Sequence, residues 1–254
     1  MRINKLIMVT LAVLCINFIL VPIFYLLITT EPFSFLEILK DKEFWASVQI
    51  SFLGAFCSSI IGLFMGLPFG FLVARKNFPA KSILESITFL PIVIPHVAVG
   101  IMLLCFFSKI GIPIVDTVWG IIVAMCFVSI SYSISSCIMG FRSVDPELEW
   151  TARSLGASAS YTFFRITLPL VFPYIARGFI LSFARALSEV GAILIIAYYP
   201  KSIPVLIYER FENFGLRKAV PITSFVILLS LFIFSLIIFL ERRSAKNKEK
   251  KYVF

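Results

Sequence analysis

The chain of 254 residues is 60% hydrophobic and only 15% charged, with a mean hydropathy of +1.00, and phenylalanine alone contributes 28 residues. A soluble domain carries a charged share nearer a quarter, so this composition excludes a soluble enzyme, a disordered segment and a disulfide-framed secreted protein. The formal charge of +9 does not imply nucleic acid, because six of the 23 Lys and Arg crowd the last fourteen residues and most others flank apolar runs, as in a multispanning protein.

A helix crossing the roughly 30 Å hydrocarbon of a bilayer needs about 20 apolar residues. Five stretches meet that need without one Asp, Glu, Lys or Arg: Leu6–Thr30, Phe44–Ala74, Ser86–Ser108, Thr117–Phe141 and Ala219–Leu240. They are continuous rather than alternating, which excludes a β-barrel. A sixth stretch, about Leu168–Tyr199, carries Arg177, Arg185 and Glu189. Its length asks for a span and its charges ask for polar surroundings. The chain therefore reads as an all-α membrane protein with six transmembrane helices. An N-terminal helix and outer loop occupy 1–43, a transmembrane domain 44–240 and a basic tail 241–254.

Arg2 and Lys5 precede the first run as they would in a signal peptide. Its 25 uncharged residues exceed a signal's apolar core, and no small-x-small cleavage site precedes Glu31, so the run is read as retained. With the N-terminus inside, the cytoplasmic segments hold fourteen Lys and Arg and the outer segments seven, which puts both termini in the cytoplasm. Cys15, Cys57, Cys105, Cys126 and Cys137 all fall inside apolar runs without CxxC spacing, and they read as small core or lipid-facing residues.

The third span opens with LPIVIPH, where Pro91 and Pro95 remove backbone donors. Such a break is either a passive kink or a place where freed carbonyls meet protein or water. His96 is the only histidine, so neither a His-rich metal site nor an HExxH protease is present. It reads as a helix-start polar residue rather than a proton relay.

Between the fourth and fifth spans, Phe141–Pro169 is too long for a mere connection. Asp145, Pro146 and Glu147 form a strong helix start, with Asp145 capping, Pro146 at the first helical position and Glu147 and Glu149 at the positive end. Gly156 offers a left-handed stop, and Ser158 or Ser160 can cap a second short helix. The unit is either an interfacial helix lying on the membrane or a socket presented to a cytosolic partner.

On the fifth span, Arg185 and Glu189 stand four apart, close enough for an ion pair, and Arg177 lies within about 80° of Arg185 around the helix. This polar side is either a buried pair that fixes packing or the lining of an anion pathway, with Gly191 allowing close helix approach. Beyond it, Tyr199–Lys218 mixes charges with aromatic residues and reads as an amphipathic outer helix. The basic tail is a topology signal that contacts lipid. No GxxxxGK[ST] loop occurs, so the chain has no such cradle for ATP.

Glu149–Pro169 resembles the cytoplasmic EAA signature of permease subunits of binding-protein-dependent ABC transporters. That signature runs Glu-Ala-Ala, three residues, Gly, nine residues, Ile, one residue, Leu-Pro. Gly156, Ile166, Leu168 and Pro169 match in spacing, and Ala152 matches the second alanine. The front departs: Trp150 and Thr151 stand where Glu-Ala is expected, and Glu149 falls one position early. FLPIVIPHVAVGI (Phe89–Ile101), TARSLGAS and Ala184–Arg210 extend the resemblance to molybdate/tungstate permeases, the archaeal type in particular, over about Trp45–Leu240. Sulfate permeases share the Leu-Pro-x-x-x-Pro and Glu-x-Gly elements and are the nearest competitor.

The resemblance implies a type I ABC importer permease fold with a coupling helix between the fourth and fifth spans. The ATPase-coupling interface would be Glu149, Ala152, Arg153, Leu155, Gly156, Ile166, Leu168 and Pro169, and the pathway would involve Pro91, Pro95, Arg185, Ser188, Glu189 and Gly191. Two permease copies would work with two ATPase subunits, which carry ATP and Mg, and with an extracytoplasmic oxyanion-binding protein. No catalytic residue, metal or cofactor is expected in this chain. The rivals are a passive anion channel and a membrane-embedded enzyme, whose only acid–base pair would be Glu189 and His96, set on different spans.

Overall fold

The computed structural model describes the backbone of residues 2–251 and the side chains of residues 7–235. Arg2, Lys5 and the basic residues of 241–254 therefore lie outside the described side chains. Among the described residues all regular structure is helical: α1 (Arg2–Thr29), α2 (Pro32–Lys40), α3 (Lys42–Arg75), α4 (Lys81–Ile87), α5 (Leu90–Val93), α6 (His96–Lys109), α7 (Val118–Ser143), α8 (Pro146–Ser154) and α9 (Ala159–Thr162). A π-helical segment, Phe163–Thr167, leads into α10 (Leu168–Leu187), α11 (Gly191–Ile196), α12 (Ile203–Phe214) and α13 (Leu216–Lys251).

Five of these helices are long and apolar enough to cross a membrane, and a sixth span results if the bent pair α4–α5 and α6 is counted as one. The proline break expected in the span Ser86–Ser108 is sharp. Ile94 and Pro95 are extended, and the two halves bend by 108°, because Pro95 biases the residue before it away from the helix. The expected span Leu168–Tyr199 is interrupted too: α10 ends at Leu187, and α11 restarts at Gly191. Glu189 itself closes the gap, since Ala192 N–H donates to its Oε1 at 2.8 Å, as a capping side chain would.

Two units make up the fold. The described residues up to Phe44 and those from Ile207 form the first. There Thr30 and Ser224 share a 2.7 Å hydroxyl contact, and Phe44 sets its ring edge-on to Phe225 with centroids 5.2 Å apart. Arg210, on the expected amphipathic outer helix, is engaged within this unit by Asp41 at 3.3 Å and Glu43 at 2.5 Å. No residue of the apolar stretch of α1, Ile7–Thr29, is buried, and only Ile23, Leu26 and Leu27 are half-buried.

The second unit, Trp45–Leu206, holds the core. Ile121, Met125 and Val128 of α7 meet Ile193 and Ile196 of α11 and Val99 of α6, all fully buried. Glycines bring the helix backbones together, as small residues do in membrane bundles. A Cβ built at Gly70 of α3 lies 2.8 Å from Cys137 Cβ and 3.0 Å from the Ile138 nitrogen, whereas one at Gly62 meets Ser133 Oγ at 3.1 Å. Gly140 joins α7 to α10 in the same way, its Cβ position lying 2.8 Å from Tyr174 Cβ. Gly70→Ala is therefore expected to cost about 1–3 kcal/mol through overpacking. Gly62→Ala should cost clearly less, because a serine hydroxyl can turn aside. Thermal unfolding of the two variants in detergent measures the difference.

Candidate functional site

Two places concentrate polar chemistry. The first is the loop between α7 and α10. Glu147 N–H donates to Asp145 Oδ1 at 2.9 Å, Pro146 occupies the first turn, and Arg153 lies in the last. Gly156 then adopts φ +92°, with Gly156 N–H donating to Arg153 O and Ala157 N–H to Ala152 O, both at 3.0 Å. That pairing closes a helix on a left-handed residue. Ser158 Oγ accepts from Tyr161 N–H at 3.2 Å and starts α9. The π-helical segment follows, and Pro169 lies in the first turn of α10.

Glu149 does not face outward. Its carboxylate takes Arg75 Nη2 at 2.8 Å and Nε at 3.1 Å, and Thr167 Oγ1 donates to it at 3.0 Å. Arg75 also donates from Nη1 to Phe141 O at 2.8 Å and from Nη2 to Val144 O at 2.9 Å, so it satisfies carbonyls where α7 ends. The two charged side chains are only 11% and 15% exposed. Arg75 thus ties α3, the end of α7, α8 and the segment before α10 into one knot. Sequence reasoning counted it only as an orientation signal, although it ends an uncharged run of 31 residues, Phe44–Ala74.

The outward surface of the loop carries large apolar side chains among its polar ones. Leu155 is 84% exposed, Trp150 66%, Phe164 62% and Tyr161 56%. Arg153, Gly156 and Pro169 are exposed as well, while Ala152, Ile166 and Leu168 are half-buried. Trp150 occupies the position where the resembled signature has its acid, so an indole stands there in place of a carboxylate.

The second place is where the two broken helices meet. A Cβ at Gly191 would fall 2.9 Å from His96 Cβ, and one at Gly100 would fall 2.8 Å from Ala192 O. The starts of α6 and α11 are therefore pressed together at backbone distance. This contact assembles three ionisable groups. Glu189 is fully buried, and its Oε2 lies 3.0 Å from Arg185 Nη2 and 3.2 Å from His96 Nδ1. Arg185 Nη2 lies 2.6 Å from His96 Nε2. In the tautomer with hydrogen on Nδ1, His96 donates to Glu189 and accepts from Arg185. Ser188 Oγ donates to Arg185 O at 3.0 Å, and Arg185 Nη1 reaches that hydroxyl at 3.5 Å.

The Arg185–Glu189 pair forms at the expected spacing, but across the end of α10 rather than on one helix face. His96 does begin a helix and is also part of this cluster. It and Glu189 are adjacent, not separated by their spans as the sequence suggested, and the Ser188 hydroxyl is turned to a backbone carbonyl rather than to the imidazole. Pro95, Arg185, Ser188, Glu189 and Gly191 come together here. Pro91 is buried within α5, and Arg177 is exposed and takes no part. No local signal in the sequence could have placed His96 against residues about ninety positions away.

Residues 66–246 match the family described as binding-protein-dependent transport system inner membrane component. The chain is 45% identical over 230 residues to the molybdate/tungstate transport system permease protein WtpB of Thermococcus kodakarensis, covering 90% of this chain and 92% of that protein. To the protein of the same name from Pyrococcus abyssi it is 46% identical, with 86% and 88% covered. A probable sulfate transport system permease protein of Chlorokybus atmophyticus is 31% identical, with 76% and 75% covered. The fold is similar to a chain in the crystal structure of a bacterial ABC transporter that imports the acidic polysaccharide alginate, at TM-score 0.71 and 18% identity over 95% of each chain.

Proposed function

Because this chain belongs to the family of binding-protein-dependent transport system inner membrane components, we propose that it is the membrane-spanning permease subunit of an ATP-driven importer of molybdate and tungstate. The observation that carries the substrate class is the 45% identity, over 90% of the chain, to a protein named for those oxyanions. The chain is a multi-pass membrane protein and a transport component.

In the proposed assembly two copies of the chain form the pathway in the lipid bilayer. Two ATPase subunits bind ATP and Mg and dock on the loops between α7 and α10. An extracytoplasmic binding protein delivers the oxyanion, and both termini face the cytoplasm. The chain itself breaks no bond. The exposed Leu155, Trp150, Tyr161 and Phe164 support a protein partner at the loop, since apolar patches of that kind mark interaction surfaces. The largely exposed α1 supports a lipid or second-copy neighbour for its apolar stretch. Pro91, Pro95, Arg185, Ser188, Glu189 and Gly191 form or border the path.

Vesicles reconstituted with the complete complex test this reading. Uptake of molybdate and tungstate should require ATP, the two should compete, and sulfate should be a weak rival. The identity to a sulfate permease, at 31%, favours sulfate as the second reading. Robust sulfate uptake untouched by excess molybdate would establish it, and uptake without ATP would establish a passive channel.

A further inference from the structure

The Arg185 side chain is only 17% exposed, yet its donors are unevenly engaged. Nη2 serves both Glu189 and His96, while Nη1 has only the 3.5 Å approach to Ser188, and Nε has no protein acceptor. None of these donors is sealed in the interior, so Nη1 and Nε can take an incoming acceptor. The planar fork of the guanidinium matches two oxygens of a tetrahedral anion. The open side is bordered by Ser188, which is exposed. His96 lies 2.6 Å from Nη2, on the engaged side, and with Glu189 fixes the plane of the guanidinium.

We infer that Arg185 is a binding residue for the transported tetrahedral dianion within the permease itself, with Glu189 as a built-in competitor for the same guanidinium. The inference rests on the importer reading above. The Glu189 carboxylate cancels one unit of charge at the site and occupies one guanidinium nitrogen. A dianion entering there is held by the remaining donors, and by the Ser188 hydroxyl once it turns away from the Arg185 carbonyl, but weakly. A site in a pathway must release what it binds, and an uncompensated arginine in a low-dielectric bundle would retain a dianion. Glu189 thus sets the affinity low, and His96 is a positioning residue for the fork.

The two charges consequently have opposite expected effects, which a merely structural ion pair would not produce. In the complex of this chain with its ATPase, without the binding protein, molybdate binding is measured by equilibrium dialysis. Arg185→Ala and Arg185→Lys should weaken it about tenfold or more, whereas Glu189→Gln should tighten it several-fold and slow uptake. Arg177→Ala, which removes an exposed arginine two turns away, should bind as the parent does. Weaker binding in Glu189→Gln, or unchanged binding in Arg185→Ala, overturns the inference.

A second measurement does not depend on losing a charge. With the five native cysteines replaced by alanine, Ser188→Cys should react with a thiol reagent, and molybdate should slow that reaction. Uptake of molybdate without such protection overturns the site and leaves the importer reading intact. Protection without any uptake supports the site and overturns the importer reading.

Discussion

Replacing Arg75 by alanine is expected to abolish oxyanion uptake while the chain still inserts. The substitution leaves Glu149 largely buried with only Thr167 to answer its charge, and it frees the Phe141 and Val144 carbonyls. Removing one partner of a buried pair costs on the order of 3 kcal/mol. The apolar runs are untouched, so membrane abundance should stay near normal. What should fail is the attachment of α8 to the ends of α3 and α7, and with it retention of the ATPase during purification. Glu149→Gln, which keeps the Thr167 contact, should be milder. The double variant Arg75→Ala with Glu149→Ala should be less damaging than the two single losses added together, because removing both charges leaves neither stranded. Strict additivity in thermal unfolding and uptake would show that the two side chains do not act together.

Gly156→Val should separate membrane insertion from transport even more cleanly. No atom lies within 4 Å of a Cβ built at Gly156, so crowding contributes nothing. The cost comes from the backbone. A φ of +92° is strained for a β-branched residue by roughly 1–2 kcal/mol, and relaxing it redirects α9. The outward group of Leu155, Trp150, Tyr161 and Phe164 would then lose its arrangement. Normal abundance with loss of bound ATPase and of substrate-stimulated ATP hydrolysis is the expected result. A variant that keeps both would show that this turn does not organise the docking surface.

Most of the fold was legible because hydrocarbon thickness imposes a length that soluble proteins do not need, and uncharged runs of that length stand out. The start and stop of α8 were legible for a different reason. Asp145, Pro146 and Gly156 act on backbone groups next to them, so their chemistry is local. Illegible features depend on partners distant in the chain. Arg75 ended an apolar run and looked like an orientation signal, and only the fold shows that its fork meets two α7 carbonyls and Glu149. The break after Leu187 was hidden because a glutamate, not an ordinary capping residue, replaces the lost helical bond at Ala192. Pro95 announced a bend, but not one of 108°. The meeting of His96 with Arg185 and Glu189 follows from that bend and from Gly191, both visible separately but not as a pair.

The glycine contacts also limit the mechanics of the molecule. Where Gly70 faces the backbone of Cys137 and Ile138, no layer of side chains separates α3 from α7 to serve as a bearing, and at Gly140 the side chains of Val171 and Tyr174 press directly on the α7 backbone. A ratchet of α3 along α7 by one turn, about 5.4 Å, would drive main chain into main chain, and one of α10 would drive Val171 and Tyr174 into the α7 backbone. These three helices form a stiff keel. Travel is left to the joints, at Ile94–Pro95 and at Ser188–Val190, where the helical bonding is already interrupted. Both joints adjoin Arg185, His96 and Glu189. The latch and the interruption are therefore the same few residues, and whatever unseats the arginine from the glutamate also frees the carboxylate that spans the break before α11.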